Sequence, residues 1–242
     1  MNFINRYMKK LFFITLVLLI AAIKGNTQPV PKGTEIQELV WVSEVYANSP
    51  NLSFSLMVSY ADSLYPNTLL DSSIMTCKLM KGKSFTFNTE VEYLQGREFN
   101  VYVSKDDSLI MVSPAQDYKS LFKAPLLDST FRQGHVDSMF VCNINDSTRK
   151  FCVGFRPESY YVSYTMLYDP RNGFVKSISY CTRNPYEMYG LAANHIIKTT
   201  MTMTGYSTAP VEAILFNESR YVYRLNGQLY LQPQWEGFTL QR

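Results

Sequence analysis

Hydrophobic and polar residues alternate through much of this 242-residue chain, with the two-residue period of strands that present unlike faces. The clearest stretch runs from Asn51 to Pro114. There Phe54, Leu56, Val58 and Tyr60 alternate with Ser53, Ser55, Met57 and Ser59. Asp71–Met80 follows, and Lys81-Gly82 predicts a tight turn, because glycine takes a positive φ without steric cost. Phe85 and Phe87 alternate next, then Phe99, Val101 and Val103, then Leu109–Val112 after the polar turn Lys105-Asp106-Asp107-Ser108. The pattern predicts an antiparallel meander, with the rest of the chain extending or covering it.

Ahead of the meander the period changes. Ile36, Leu39, Val40, Ser43 and Tyr46 recur at helical spacing, with Glu35, Glu38 and Glu44 elsewhere. Thr34 and Gln37 stand as a capping box, and Asn48-Ser49-Pro50-Asn51 is a stop. One amphipathic helix is therefore expected to lay its apolar stripe on the sheet.

Beyond Pro114 the chain leaves the strand pattern. Asp117–Lys123 and Leu126–Gln133 predict short helical pieces around Pro125. Strands resume as Ser138–Ile144 with Lys150–Phe155, and as Tyr160–Tyr168 with Phe174–Cys181. In the second pair, setting Tyr168 opposite Phe174, Tyr164 opposite Ile178 and Val162 opposite Tyr180 makes one apolar face. Asn184–Asn194 predicts a second excursion and Ile196–Tyr206 another strand. Arg220–Leu225 and Gln228–Gln232 flank Asn226-Gly227, the strongest two-residue hairpin signal present.

The first residues read as an export signal. Arg6, Lys9 and Lys10 precede a run of 13 residues from Leu11 to Ile23, which is short for a membrane span. Cleavage is expected after Ala22 or Gly25, giving a signal peptide 1–25 and a single domain 26–242. The first cysteine is Cys77, so no N-terminal lipid anchor is expected. The chain is read as periplasmic or secreted, with no stable membrane span after signal removal. The segment removed holds four of the 23 basic residues and none of the 20 acidic ones, which lowers the formal charge from +3 to −1. Nucleic acid is excluded as a partner on that ground.

Four cysteines in an exported chain allow disulfides. A three-residue loop Asp146-Ser147-Thr148 pairs Asn145 with Arg149 and sets Cys142 directly across from Cys152, with Met139 and Val141 facing Phe155 and Val153. A four-residue loop sends Cys152 to the other face. The first register predicts a Cys142–Cys152 disulfide, and leaves Cys77 and Cys181 as thiols or a second pair.

Catalytic signals are sparse. His135 and His195 have no second ligand at metal-binding spacing. No nucleophile elbow, phosphate-binding loop or dinucleotide fingerprint occurs. Asp62 and Asp71 flank a Ser-rich loop and read as turn formers. No enzyme activity, metal or cofactor is expected.

Three motifs carry a resemblance: Lys81-Gly82-Lys83-Ser84-Phe85-Thr86-Phe87, Gln95-Gly96-Arg97-Glu98-Phe99-Asn100-Val101-Tyr102, and Leu109-Ile110. Together with the order of elements, they resemble the half-barrel of LolA/LolB-type periplasmic lipoprotein carriers. Where that family has an arginine before its aromatic strand this chain has Lys81 and Lys83, and the family's tryptophan positions hold Phe87 and Phe99. The resemblance implies a mainly β fold, a curved antiparallel sheet (half-open β-barrel) wrapped over the N-terminal amphipathic helix, with short mid-chain helical segments. It also implies acyl chains held under a lid, for which Asp117–Gln133 is the candidate.

Two non-catalytic readings stay open. In the first, an envelope protein holds an apolar or lipid-like ligand, an acyl chain for example, in the concave face. Phe54, Leu56, Val58, Phe85, Phe87, Val101 and Val103 then line the site. In the second, the core is self-filled and exposed edges or tyrosines dock an envelope protein partner.

Overall fold

The structure is a computed structural model that describes residues 34–65, 68–115, 126, 128–183 and 195–242. The expected export signal, the expected leader 26–32, the turns expected at Asp117–Lys123 and the excursion expected at Asn184–Asn194 lie outside the described residues, as does the side chain of Thr34. Of the lid candidate Asp117–Gln133, only Leu126 and the residues from Asp128 onward are described.

Helix α1 spans Thr34–Asn48 and stops at the expected Asn and Pro cluster. It buries Ile36, Leu39, Val42 and Tyr46, a single stripe at three- and four-residue spacing. Val42 sits on that stripe in place of Val40 and Ser43, and the Ser43 hydroxyl donates to the Leu39 carbonyl at 2.8 Å.

The meander has six strands: β1 (Leu52–Asp62), β2 (Leu69–Met80), β3 (Lys83–Phe87), β4 (Val91–Gln95), β5 (Phe99–Ser104) and β6 (Leu109–Pro114). Strand β4 is absent from the pattern reading. It buries Tyr93, Leu94 and Gln95 in succession, so both of its faces are covered and no alternation marks it. Lys81 and Gly82 both take positive φ, 47° and 82°, the angles a two-residue hairpin turn needs.

Helix α2 (Ser129–His135) follows, capped by the Asp128 carboxylate, which accepts the N–H groups of Thr130 and Phe131. Then come β7 (Val136–Asn145), β8 (Thr148–Phe155), β9 (Tyr161–Tyr168), β10 (Val175–Arg183) and β11 (Ile196–Ser207). The chain closes with β12 (Val222–Leu225), β13 (Gln228–Leu231) and β14 (Thr239–Gln241).

Twelve strands form one sheet in the order β14-β6-β5-β4-β3-β2-β1-β11-β10-β9-β8-β7, and β12-β13 is a separate hairpin. The fold is mainly β, with a large, curved antiparallel sheet that is not closed. Strand β14 joins it parallel to β6, a pairing its three residues do not announce.

Two hairpins keep the expected faces but slide by two residues. In β9–β10, Tyr164 lies opposite Tyr180 and Met166 opposite Ile178, with a bulge between Val175 and Ser177. In β7–β8, Cys142 lies opposite Lys150, Phe140 opposite Cys152, Val141 opposite Phe151 and Met139 opposite Val153. A shift of two leaves every side chain on its own face, so the hydrophobic pattern cannot detect it and turn chemistry decides. The Asn145 side chain accepts the Ser147 N–H at 3.0 Å and closes a two-residue loop with a bulge between Asn143 and Asn145. The expected Cys142–Cys152 disulfide does not form in this register, and all four cysteines are free thiols.

The described residues divide into two compact units. One comprises those up to Val45, with Met57–Ser73 and Ser120–Thr202. The other comprises those of Tyr46–Leu56, Ile74–Lys119 and Met203–Arg242. In the first unit, α1 is bound by Glu38, whose carboxylate accepts from Arg149 and, at 2.5 Å, from the Tyr168 hydroxyl. Arg149 and Tyr168 are direct cross-strand partners on β8 and β9. Burial first, then the Glu38 hydrogen bond and charge, push the Tyr168 phenol well above its usual range. Helix α2 packs through Phe131, whose ring lies 6.3 Å from Phe155 and 6.2 Å from Tyr161. In the second unit, the core gathers Phe85, Leu94, Val101, Val103, Ile110, Val112, Phe216, Tyr221 and Val222.

Candidate functional site

Four of the seven residues expected to line a ligand site, Phe85, Phe87, Val101 and Val103, gather in one place. Phe85, Val101 and Val103 are 3%, 0% and 0% exposed. They lie in one core cluster with Phe216, Tyr221 and Val222 from the C-terminal segment. Phe87 packs against the same cluster, as do Val211, Leu215, Leu229, Leu231, Trp235 and Phe238. The chain's own last residues therefore cover the apolar face of β3 to β6. Phe54 belongs to a different group, with its ring 6.0 Å from Tyr46 and 5.1 Å from Tyr206. Val58 is fully buried in the first unit, and Leu56 is half-buried.

Polar contacts pin this cover down. The Tyr221 hydroxyl donates to Glu92 of β4 at 2.6 Å, and Lys105 pairs with the other oxygen of Glu92 at 2.9 Å. Burial, then Glu92, raise the Tyr221 phenol far above its usual range. The Trp235 indole N–H donates to the Arg220 carbonyl at 2.9 Å. Glu218 reaches the β4–β5 turn, where one carboxylate oxygen accepts N–H groups of Arg97, Glu98 (2.7 Å) and Phe99 (3.4 Å). At Gly96 beside it a Cβ would collide with this same carboxylate, so a larger residue there would have to push the Glu218 side chain aside.

Burial opposes the charge on Glu218, but backbone N–H donation outweighs it and holds the carboxyl below its usual value of 4.5. A depressed carboxyl contributes stability above its unfolded value, and that stability is lost as pH falls through the folded value. Glu218→Gln is expected to lower stability by about 1 kcal/mol at neutral pH, a modest figure because the group is partly exposed. The difference from the parent should vanish in acid. Urea unfolding of both proteins from neutral pH to below 4.5 checks this. A deficit that stays constant with pH would show that the charge contributes nothing.

Two features escaped the sequence reading. Asp62, 4% exposed at the end of β1, accepts the Leu64 N–H at 2.9 Å and contacts Nδ1 of His195 at 3.2 Å. These residues are 133 positions apart, so no spacing rule joins them. Asp71, read with Asp62 as a turn former, accepts the N–H of Ser72 at 2.8 Å. The second is the C-terminal cover itself: Phe216, Tyr221, Trp235 and Phe238 follow no helical or strand period, and only the Asn226-Gly227 turn marks the region. Among the described residues no group of three His, Cys, Asp or Glu is placed to hold a metal ion. Cys77 is inert by position, since burial pushes its thiol up to about 12 against a hydrogen bond from Thr86.

No family model matches the chain, and no curated protein does. Among solved structures, it is similar to a LolA-superfamily protein from Nitrosomonas europaea, with 8% identity over 79% of this chain and 99% of that one and a TM-score of 0.34. It is similar to a DUF1329-family protein from Desulfovibrio piger, with 10% identity over 80% and 99% and a TM-score of 0.35. It is also similar to the MucA/MucB complex structure from Pseudomonas aeruginosa, with 13% identity over 77% and 62% and a TM-score of 0.37. The LolA-superfamily structure repeats the resemblance at a TM-score of 0.34, and none of these scores carries anything about cargo or partner.

Proposed function

We propose that this chain is a non-catalytic interaction protein of the exported, envelope-facing compartment, and that it works through its surface rather than through a ligand cavity. The observation that carries this reading is the cover over Phe85, Val101 and Val103. These would be the deepest positions of a lipid-holding face, and Phe216, Tyr221 and Val222 occupy the space against them. An acyl chain there would have to displace a segment held by the Glu218, Tyr221 and Trp235 contacts. The export signal and the net charge of −1 that remains after its removal agree with an envelope location and give no reason to invoke nucleic acid. Among the described residues no helix is long and apolar enough to cross a membrane.

The test is native mass spectrometry of protein purified from its own host, together with titration of an environment-sensitive acyl probe. An apo mass and no probe fluorescence are expected. Co-purified lipid, or saturable probe binding that Val101→Lys abolishes, would establish the ligand-holding reading instead.

A further inference from the structure

The two edges of the large sheet are unlike. At one end β14 has three residues and ends the chain's pairing. At the other end β7 runs for ten residues and, among the described residues, pairs with β8 alone. Natural proteins blunt such edges with lysine, proline or inward charges, because a long open edge templates pairing with another chain. Strand β7 has bulges near each end, but between Ser138 and Asn145 it has no charged residue and no proline. It also exposes large apolar groups, Phe140 at 49% and Ile144 at 53%.

The order of residues along β7 says what fits against it. When two copies of a strand pair antiparallel in one continuous sheet, the two-fold axis stands perpendicular to the sheet. Opposed residues then share a face, which requires the axis to pass midway between the two copies of one residue, here called the residue on the axis. Between its two bulges β7 is regular from Ser138 to Asn143. With Phe140 on the axis, Ser138–Cys142 reads as a palindrome: Phe140 meets itself, Met139 meets Val141 and Ser138 meets Cys142. Every pair is apolar with apolar or small with small, and no charges oppose. Moving the axis to Cys142 sets Val141 against Asn143, and moving it to Val141 sets Met139 against Asn143.

We propose that β7 is the docking edge for a second copy of this chain, paired antiparallel about Phe140 to continue the sheet across a two-fold axis. This gives the interaction reading above a specific partner and rests on that reading. The added ladder supplies main-chain hydrogen bonds, and the central Phe140 pair with its flanking Met139–Val141 pairs supplies apolar cross-strand contact.

Light scattering on the full mature chain, across a concentration series under reducing conditions, is the first arm. Dimer is expected for the parent and monomer for Phe140→Lys, which sets two ammonium groups against each other on the axis. Circular dichroism confirms that this exposed substitution leaves the fold intact. The second arm uses Ser138→Cys with oxidised glutathione, in which two thiols become one disulfide and the glutathione is reduced to two thiols. Peptide mapping is expected to find Cys142 joined to the new thiol at 138 in a species of dimer mass. Four residues along one strand span roughly 13 Å, so that bond cannot form within a chain. A parent that stays monomeric at its highest soluble concentration, a Phe140→Lys dimer, or a dimer linked mainly through Cys142 to Cys142 would each overturn the proposal. A monomeric parent that also binds no lipid would leave the function reading intact and remove only this partner, whereas lipid binding would remove the function reading whatever the oligomeric state.

Discussion

Replacing Phe216 by alanine is expected to cost the protein about 3–5 kcal/mol, the range for emptying a buried aromatic site. Phe216 is 1% exposed and sits among Phe85, Leu94, Val101, Val103, Ile110 and Val112. These neighbours belong to strands locked by their ladders, so they cannot close the void, and both the transfer and cavity costs apply in full. Against a typical total of about 5–15 kcal/mol, the loss is large, and the melting temperature should fall by roughly 6–20 °C. Urea unfolding with an unchanged slope would attribute the loss to the native state. A loss under about 1 kcal/mol would mean that the C-terminal segment lies loosely on the meander, and would reopen its apolar face as a ligand site.

Gly173→Ala is expected to cost about 2–3 kcal/mol, from two separable causes. The residue closes the β9–β10 turn with φ at +75°, where a side chain costs about 1–2 kcal/mol. Its new Cβ would also stand 2.8 Å from Cγ2 of Val45 on α1 and 3.5 Å from the Trp41 ring. The two causes part in a double-mutant cycle. In a Val45→Ala background the steric part disappears, so Gly173→Ala should cost about 1 kcal/mol less there than in the parent. Equal costs in the two backgrounds would show that helix α1 yields freely at this point, and that only the backbone angle requires glycine.

The same turn shows where reading the chain stops. Asp169-Pro170-Arg171-Asn172-Gly173 is legible as a turn, and Val162, Tyr164, Ile178 and Tyr180 as one face. Yet Tyr164 meets Tyr180 and not Ile178, because a slip of two residues changes no face. The resolving contacts are local but concern geometry: Arg171 gripping Asp169, and the Gly173 N–H returning to the Asp169 carbonyl at 2.8 Å. The cysteines follow the same logic. Cys142 and Cys152 were legible as residents of one hairpin, but the Asn145–Ser147 turn sets Cys142 opposite Lys150.

By itself, then, the order of residues determined what depends on near neighbours. The strand period, the α1 stripe through Ile36, Leu39 and Tyr46, and the Lys81-Gly82 and Asn226-Gly227 turns all arise within a few residues, where local sterics and amphipathicity act alone. Tertiary structure decided what joins distant segments. Glu218 meets Arg97, Asp62 meets His195, and Phe216 fills the space above Val101 and Val103. Each of those contacts joins segments of chain whose separate sequences hold no trace of it. Burial of an apolar side chain is non-directional, so Phe85, Val101 and Val103 were recognisable as seeking cover. Whether a ligand or the chain's own last residues would supply it depended on where the C-terminal segment came to rest.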